Sequence, residues 1–293
     1  MNPEEQNSVP AGSEAQPFAI PSELFEPRGR TFSVINQKGG CGKSTTAINL
    51  GAQLAQEGFQ VLLVDLDPQA NATLGLGIHL ESEEKSIYDI FKIPNIFPAE
   101  AIRPTPVENL QIIASSRELS SSAVELLKNS NWEYTLRSFL RPLKNNYHFI
   151  LIDCPPALNA LTVNALTASD DMIIPLQAHY FSLEGMKELF LTVHSVREKL
   201  NPLLAGGRIL PTLFDSRPNV SRELLKSIRN YFNELVFETV IRINVKLIEA
   251  TMHGQPVILY DPASRGAQDY AAMCREFLQK EAALLQPQPH HAE

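Results

Sequence analysis

The sequence predicts an α/β fold built on a mostly parallel, twisted sheet with helices on both faces. Short runs rich in Val, Ile and Leu alternate along the chain with longer segments of helical period. Most of these runs are continuously apolar, as strands that are covered on both faces should be. Polar and glycine-rich motifs follow several of the runs directly, at the carboxyl edge where open α/β sheets bind ligands.

Composition and charge exclude several classes of protein. The chain has 293 residues, of which 44% are hydrophobic and 20% charged, as in ordinary globular domains. It has no apolar run near the roughly 20 residues that cross a bilayer and no signal-peptide start, so we expect a cytoplasmic protein. Its three cysteines form no C-x-x-C pair, which argues against a structural zinc site. The net charge of −8 means that any DNA binding requires a local basic patch.

One domain is predicted over residues 31–284, between two polar ends. Residues 1–30 hold five prolines among Glu, Ser, Gln and Asn, and we expect a flexible N-terminal arm. Its apolar patches, Phe18-Ala19-Ile20 and Leu24-Phe25, could dock on the body or on a partner, or belong to a loose tail. Residues 285–293 contain two prolines and no Lys or Arg, and we expect a disordered tail.

The periodicity predicts seven strands and seven helices. The strands are expected at Thr31–Asn36, Val61–Asp65, Leu110–Ala114, Phe149–Asp153, Met172–Leu176, Ile209–Phe214 and Glu238–Ile241. The helices are expected at Lys43–Glu57, Ser116–Lys128, Trp132–Lys144, Leu158–Ala168, Leu183–Leu200, Val220–Leu235 and Gly266–Leu284.

A glycine-rich loop, residues 37–45, connects the first predicted strand to the first helix. Its glycines allow backbone amides to approach an anion closely, and the amides of the helix N-terminus point at the same place. We expect Lys43 to contact the β and γ phosphates of a nucleotide and the Ser44 hydroxyl to coordinate Mg²⁺. The usual G-x-x-x-x-G-K-[ST] loop would have glycine where this chain has Gln37. The pattern present is K-G-G-x-G-K-[ST].

Lys38-Gly39-Gly40-Cys41-Gly42-Lys43-Ser44 resembles the deviant Walker A loop of the ParA/MinD family of partitioning and positioning ATPases. The resemblance extends from about Thr31 to Leu278 and is greatest to chromosomal ParA proteins of the Soj type. It implies a P-loop NTPase fold, ATP or ADP with Mg²⁺ as cofactors, and a homodimer that sandwiches the nucleotide. Lys38 is the family's signature lysine, which reaches the phosphates held by the other subunit. The expected nucleotide-binding residues are Lys38, Gly39, Gly40, Cys41, Gly42, Lys43, Ser44 and Thr45.

Two further strands end in carboxylates. The run from Val61 ends at Asp65 and Asp67, and the run from Phe149 ends at Asp153 before two prolines. The family resemblance implies that Asp67 orients the attacking water and that Asp65 supports the magnesium environment. It also implies that Asp153, in the Walker B segment, meets Mg²⁺ through water. The expected catalytic residues are Lys38, Lys43 and Asp67, and the expected metal residues are Ser44, Asp67 and Asp153. Turn-capping aspartates are the alternative.

A basic segment follows, with nine Lys or Arg and seven Asp or Glu between residues 208 and 275. Composition alone does not distinguish a DNA-binding patch from a solvated helix face. Two segments around Arg217 and Lys246 resemble those that carry the DNA-binding arginines of Soj-type proteins. The resemblance therefore implies DNA binding through these residues, and contacts to phosphates would ignore base sequence. We expect the arm to be too short for an added operator-reading domain.

The sequence thus predicts a nucleoid-associated partitioning ATPase: an ATP-bound dimer coats DNA, and hydrolysis stimulated by a ParB-like partner releases it. One alternative is a related ATPase that positions another cargo, such as a chemosensory array or a microcompartment. A MinD-like membrane ATPase is disfavoured because residues after Lys280 carry no cation, so no membrane partner is expected. A nucleotide-gated scaffold with negligible hydrolysis is a third possibility. Residues 241–244 depart from the family pattern near the expected adenine pocket.

Overall fold

In the computed structural model, which describes residues 27–93, 96–177 and 182–285, a seven-stranded sheet forms the centre of the protein. Its strands are β1 (Arg30–Val34), β2 (Val61–Asp65), β3 (Ile102–Pro104), β4 (Leu110–Ile113), β5 (Phe149–Asp153), β6 (Asp171–Gln177) and β7 (Arg208–Thr212). Their order across the sheet is β3-β4-β2-β5-β1-β6-β7, and only β3 pairs antiparallel to its neighbour. The predicted fold class, a mostly parallel sheet with helices on both faces, is confirmed.

The helices lie between these strands and after them. They are α1 (Lys43–Gln56), α2 (Asn71–Gly75), α3 (Ile87–Lys92), α4 (Pro98–Ala101), α5 (Leu119–Glu125), α6 (Thr135–Leu140), α7 (Ala160–Ala168), α8 (Ser182–Lys199), α9 (Asn219–Phe232), α10 (Val245–Met252), α11 (Val257–Tyr260) and α12 (Arg265–Leu285). In the described part of the chain, no helix combines the length and apolar character that a membrane crossing requires.

Each face of the sheet is covered by its own hydrophobic core. Alternate residues of one strand point to opposite faces, so Ile150 and Ile152 join the core beneath α5 to α9, whereas Phe149 and Leu151 join the core beneath α1 and α10 to α12. The central strands are buried along their whole length. Burial on both faces explains why these strands are continuously apolar in the sequence.

Some predicted elements differ from the structure. Residues 238–241 were expected to form a strand but form none: the isolated bridges at this edge are made by Val236 with Ile209 and by Arg242 with Phe214. The neighbouring strand β7 lies at the edge of the sheet, and its Pro211 lacks the N–H that a full ladder needs. The helix predicted over residues 132–144 is α6 between two short 3₁₀ turns, and the second turn contains Pro142. β3, α2, α3, α4, α10 and α11 were not predicted.

The two polar ends fall mostly outside the described residues. Of the predicted arm, residues 1–26, including both apolar patches, lie outside the described ranges, and Arg30 is the first residue of β1. Of the predicted tail, residues 286–293 lie outside, and Leu285 is the last residue of α12. The division into arm, domain and tail stays a prediction.

Candidate functional site

The loop between β1 and α1 forms a backbone cradle at the carboxyl edge of the sheet. It turns at two glycines with positive φ, Gly40 at 69° and Gly42 at 92°, a conformation that strains other residues. No side-chain hydrogen bond caps the first turn of α1. Its amides and the helix dipole are therefore free to attract an anion. The predicted succession of strand, glycine loop and helix is present.

Two lysines hold their ammonium groups at this loop without a carboxylate partner among the described residues. Lys43 is buried, 7% exposed, and donates from Nζ to the carbonyl oxygen of Lys38 at 3.2 Å. Lys38 is exposed and donates from its own Nζ to Oε1 of Gln177 at 3.0 Å. Both acceptors are neutral, so the loop carries two positive charges that form no ion pair within the described ranges.

Cys41 fastens the loop to the sheet through its backbone. Its carbonyl oxygen accepts a hydrogen bond of 2.7 Å from Oγ1 of Thr212, the last residue of β7. The side chain is fully buried, and burial raises the pKa of the Cys41 thiol. Cys41 is therefore expected to serve phosphate binding by shaping the backbone, and not by presenting its thiol.

Asp65 and Asp153 lie side by side because β2 and β5 are neighbours and their last residues pair in register. Asp65 Oδ1 accepts from the Asp67 amide at 3.1 Å, and its Oδ2 accepts from the Thr73 amide at 2.8 Å and the Thr73 hydroxyl at 2.7 Å. Burial raises the pKa of Asp65 to about 6, although these hydrogen bonds oppose the shift. Asp65 thus stabilises the turn that carries Asp67.

Asp153 is fully buried, and neither of its carboxylate oxygens has a hydrogen-bond partner within the described ranges. Burial, and then the Asp65 carboxylate, raise its pKa well above the usual range, while Ser44 and Lys43 lie close enough to oppose the shift. The Ser44 hydroxyl opposes the rise in the Asp153 pKa from nearby, although it makes no hydrogen bond to the Asp153 carboxylate. An isolated buried carboxylate is costly, and a nearby cation relieves that cost.

This arrangement fits a hard cation such as Mg²⁺. Mg²⁺ prefers oxygen ligands and usually keeps several waters, binding through few carboxylates together with substrate phosphates. Ser44 supplies a hydroxyl and Asp153 supplies an unpaired carboxylate beneath it. The described residues contain no cluster of three or more His, Cys, Asp or Glu suited to a metal. A cation held by Ser44 and Asp153 would have room for phosphate oxygens and water as further ligands.

Asp67 lies on the loop after β2 and is 6% exposed. Its Oδ1 accepts from the amide of Gln69 at 2.9 Å, and its carbonyl oxygen accepts from the Ser115 hydroxyl at 2.7 Å. These contacts hold the loop from both sides. The carboxylate is fixed at the edge of the same cavity that the glycine loop lines.

A cavity of about 320 Å³ joins the glycine loop to Asp67. The predicted residues that line it are Gly39, Gly40, Gly42, Lys43, Ser44, Thr45 and Asp67. Lys38, Cys41 and Asp153 are not among the lining residues. A second, apolar cavity of about 370 Å³ adjoins it and shares Gly42, Thr45 and Thr251 with it. The two together offer a polar compartment beside an apolar one.

Residues 241–244, which depart from the family pattern, border the apolar cavity. Ile241, Ile243 and Asn244 line it, while the Arg242 side chain instead pairs with Asp269 of α12. The departure therefore leaves an apolar wall, with the arginine taken up in a structural ion pair.

Sequence reasoning missed three residues of the site. Thr73 anchors Asp65, Ser115 anchors the Asp67 loop, and Thr251 lines both cavities. Ser115 could have been found, because it follows the strand β4 at the carboxyl edge. Thr251 lies on α10, a helix that the periodicity did not reveal.

The two candidate DNA-binding residues lie on neighbouring segments of the chain. Arg217 follows β7, and the start of that connection bridges the segment that leads to α10, where Lys246 lies. Arg217 is 86% exposed and pairs with Asp215 at 2.7 Å. Hydrogen bonds from Arg217 lower the pKa of Asp215 to about 2. Lys246 is 40% exposed and pairs with Glu249 at 2.8 Å. Each cation thus has a carboxylate neighbour.

Comparison with known proteins identifies the family to which the chain is similar. A family model described as an AAA domain matches residues 29–205. The chain is 45% identical over 248 residues to the sporulation initiation inhibitor protein Soj of Bacillus subtilis, covering 85% of this chain and 98% of that protein. It is 44% identical over 254 residues to the chromosome partitioning protein ParA of Myxococcus xanthus, covering 86% and 89% respectively.

Solved structures show the same fold. A Mycobacterium smegmatis structure described as cobyrinic acid a,c-diamide synthase with bound ADP and magnesium is 30% identical, with a TM-score of 0.74, covering 86% of this chain and 95% of that one. The cell division ATPase MinD of Pyrococcus furiosus is 23% identical, with a TM-score of 0.71 and coverage of 86% and 99%, and supports the fold alone. Identity above 40% across nearly the whole length of Soj and ParA shows that this chain belongs to their family of chromosome-partitioning P-loop ATPases.

Proposed function

We propose that the protein binds ATP with Mg²⁺, forms a nucleotide-sandwich homodimer that binds DNA without regard to sequence, and releases DNA when a ParB-like partner stimulates hydrolysis. The observation that carries this proposal is the pair of lysines without carboxylate partners, Lys38 and Lys43, on a glycine loop that faces Asp67 across one cavity. Such a site is suited to a polyanion with a hydrolysable end.

Nucleotide binding is supported by the loop and by a structural neighbour that holds ADP and magnesium. Gly39, Gly40 and Gly42 are expected to cradle phosphate oxygens with their amides, and Lys43 to leave the Lys38 carbonyl for a phosphate. Ser44 and Asp153 would hold Mg²⁺, which neutralises charge on the phosphates when bound. The neighbouring apolar cavity is suited to the purine base.

Hydrolysis requires positioning more than covalent chemistry, since the transferred phosphoryl group passes through a loose transition state. Asp67 would orient the attacking water, and the Asp65 and Ser115 contacts keep its loop in place. Lys38 of a second copy would add a cation where negative charge develops, so turnover would depend on dimerisation.

The proposed DNA binding depends on the surface of the whole dimer and not on one cavity. Arg217 and Lys246 each carry one positive charge on the surface, and each is already paired with a carboxylate. A dimer presents two copies of both, and linked weak sites bind a long polyanion far better than single ones. Nucleotide-dependent dimerisation would in this way switch DNA binding on.

The function is tested first by Asp67→Ala. We expect ATP-dependent dimerisation and DNA binding to remain, while single-turnover hydrolysis with DNA and the cognate ParB-like protein falls to background. Glu108→Ala serves as a matched control, because it removes an exposed carboxylate that does not line the cavity. Hydrolysis at the unmodified rate in Asp67→Ala would refute its catalytic role.

The same experiment addresses the alternative of a nucleotide-gated scaffold with negligible hydrolysis. One observation favours that alternative, namely that Asp67 Oδ1 caps the turn through the Gln69 amide. If Asp67 has only a structural role, we expect no partner-stimulated ATP turnover in the unmodified protein. Such a role also predicts a lowered melting temperature in Asp67→Ala.

DNA binding is tested by Arg217→Glu combined with Lys246→Glu. We expect DNA retention at moderate salt to be lost while nucleotide binding and dimerisation persist. The control is Lys128→Glu with Arg141→Glu, two exposed cations elsewhere, which changes the net charge equally. An equal loss of DNA retention in both double variants would show a general charge effect and would refute a DNA-binding patch at Arg217 and Lys246.

A further inference from the structure

Two consecutive residues at the start of the glycine loop are tied to β6 and α8 by their side chains. Gln37, which stands where the usual loop has glycine, donates from Nε2 to Oε2 of Glu188 on α8 at 2.6 Å. Lys38 donates from Nζ to Oε1 of Gln177, the last residue of β6, at 3.0 Å. The loop therefore begins in a stretch that is held on its own subunit.

The backbone beneath these ties is itself fixed to β6. The Asn36 side chain donates to the carbonyl oxygen of Pro175 at 2.7 Å and accepts from the Lys38 amide at 3.0 Å. Asn36 is buried, whereas Lys38 is exposed. The base of Lys38 is consequently rigid, and the direction of its long side chain depends on the acceptor that its ammonium finds.

We propose that Gln177 is a positioning residue that holds the Lys38 ammonium on its own subunit and releases it when Lys38 reaches toward a second copy. This inference rests on the proposed function, in which Lys38 acts across a dimer. The Lys38–Gln177 contact, here named the latch, competes with that engagement. Its strength sets part of the ATP-bound dimer's dissociation constant.

The chemistry of the latch suits a contact that must open. Gln177 offers a neutral acceptor, so the hydrogen bond is weaker than an ion pair would be, and Lys38 is exposed to water that can replace it. A carboxylate at this position would hold the ammonium more tightly. An alanine would leave it free.

The latch is tested with two substitutions that should act in opposite directions. The loss of one such hydrogen bond shifts an equilibrium by about threefold or more, and a symmetric dimer opens two latches. In the Asp67→Ala background with ATP and Mg²⁺, Gln177→Ala should lower the dimer dissociation constant by about tenfold, measured by sedimentation equilibrium. Gln177→Glu should raise it. An unchanged or raised constant in Gln177→Ala would overturn the proposal.

Two controls separate this inference from the proposed function. Gln279→Ala, an exposed glutamine on α12, should leave the dimer unchanged. Lys38→Ala should weaken the dimer, and adding Gln177→Ala to it should restore nothing, since no ammonium remains to be released. A recovered dimer in that double variant would show another route and overturn the latch. A Lys38→Ala dimer of full strength would instead refute the action of Lys38 across the dimer.

Discussion

The two edges of the sheet differ in whether their buried carboxylates form ion pairs. At the amino edge, Arg208 at the start of β7 contacts Asp171 at 3.1 Å and also pairs with Glu281 of α12. Arg30 at the start of β1 pairs with the same Glu281 at 2.9 Å. The Arg208 guanidinium also lies 5.6 Å from the ring centre of Phe32. Each buried carboxylate of this network has a guanidinium beside it.

At the carboxyl edge, the buried carboxylates have no such partners. Asp65 is bonded to amides and a hydroxyl, and Asp153 has no hydrogen-bond partner within the described ranges. The two cations nearby, Lys38 and Lys43, rest on neutral oxygens. Charged groups of both signs at the carboxyl edge thus form no ion pair within the described ranges, whereas those at the amino edge do.

This difference separates the charged residues expected to matter for folding from those expected to matter for ligand binding. A buried ion pair that is complete within the chain is expected to matter for folding, because the loss of one partner strands the other. A buried charge without a partner is expected to cost stability and to be useful only when a ligand completes it. Substitutions at the two edges should therefore have opposite signatures.

The largest effect is expected from Arg208→Met at the amino edge. It leaves Asp171 buried without its cation and removes one of two partners of Glu281. Breaking a buried pair in this way typically costs about 3–5 kcal/mol in the free energy of unfolding. Urea denaturation measures that cost, and the ATPase rate per folded molecule should stay unchanged. A variant as stable as the unmodified protein would contradict the structural role of this network.

The next effect is expected from Asp153→Asn at the carboxyl edge, with the opposite signature. Neutralising a buried, unpaired carboxylate should leave the melting temperature unchanged or raise it. An outer ligand of a metal typically contributes about 10- to 100-fold to metal affinity, so the Mg²⁺ concentration for half-maximal hydrolysis should rise by that factor. Magnesium titrations of the ATPase rate measure it. A melting temperature as low as that of Arg208→Met would make Asp153 a structural residue.

The smallest effect is expected from Lys144→Met, which breaks a half-exposed pair at the amino edge. Lys144 Nζ lies 3.1 Å from Asp170, and the two side chains are 29% and 33% exposed. Because water screens such pairs, we expect a loss of about 0.5–1 kcal/mol in the free energy of unfolding and no change in ATPase rate. Urea denaturation of Lys144→Met and Arg208→Met under the same conditions compares their losses in the free energy of unfolding. It tests whether the burial of an ion pair, and not pairing alone, decides the size of that loss. Equal losses would show that it does not.

Much of the central sheet could be predicted because its strands are buried on both faces. β2 and β5 begin and end where the apolar runs do, and their carboxylates come immediately at or after the last strand residue. The glycine loop follows from local backbone requirements at Gly40 and Gly42. In these places a residue's neighbours along the chain set its environment, so the pattern is sufficient.

Prediction failed where distant segments decide the structure. β3 exists because Ile102–Pro104 pairs with β4, and α10 is a short helix whose Leu247 and Ala250 pack into a core assembled from other elements. Residues 238–241 look like a strand but lie beside the proline-bearing edge of β7. Short elements of this kind carry little periodicity of their own.

The sequence by itself determined the sheet class, the phosphate-type loop and the identity of the carboxylates at the strand ends, because buried parallel strands and glycine turns impose local patterns. Only the tertiary structure decided which charges are compensated: that Asp153 stands opposite Asp65 without a partner, that Arg208 meets Glu281, and that Lys38 rests on Gln177. Compensation depends on distances of a few ångströms between residues far apart in the chain, and electrostatic free energy in a buried site changes steeply over that range.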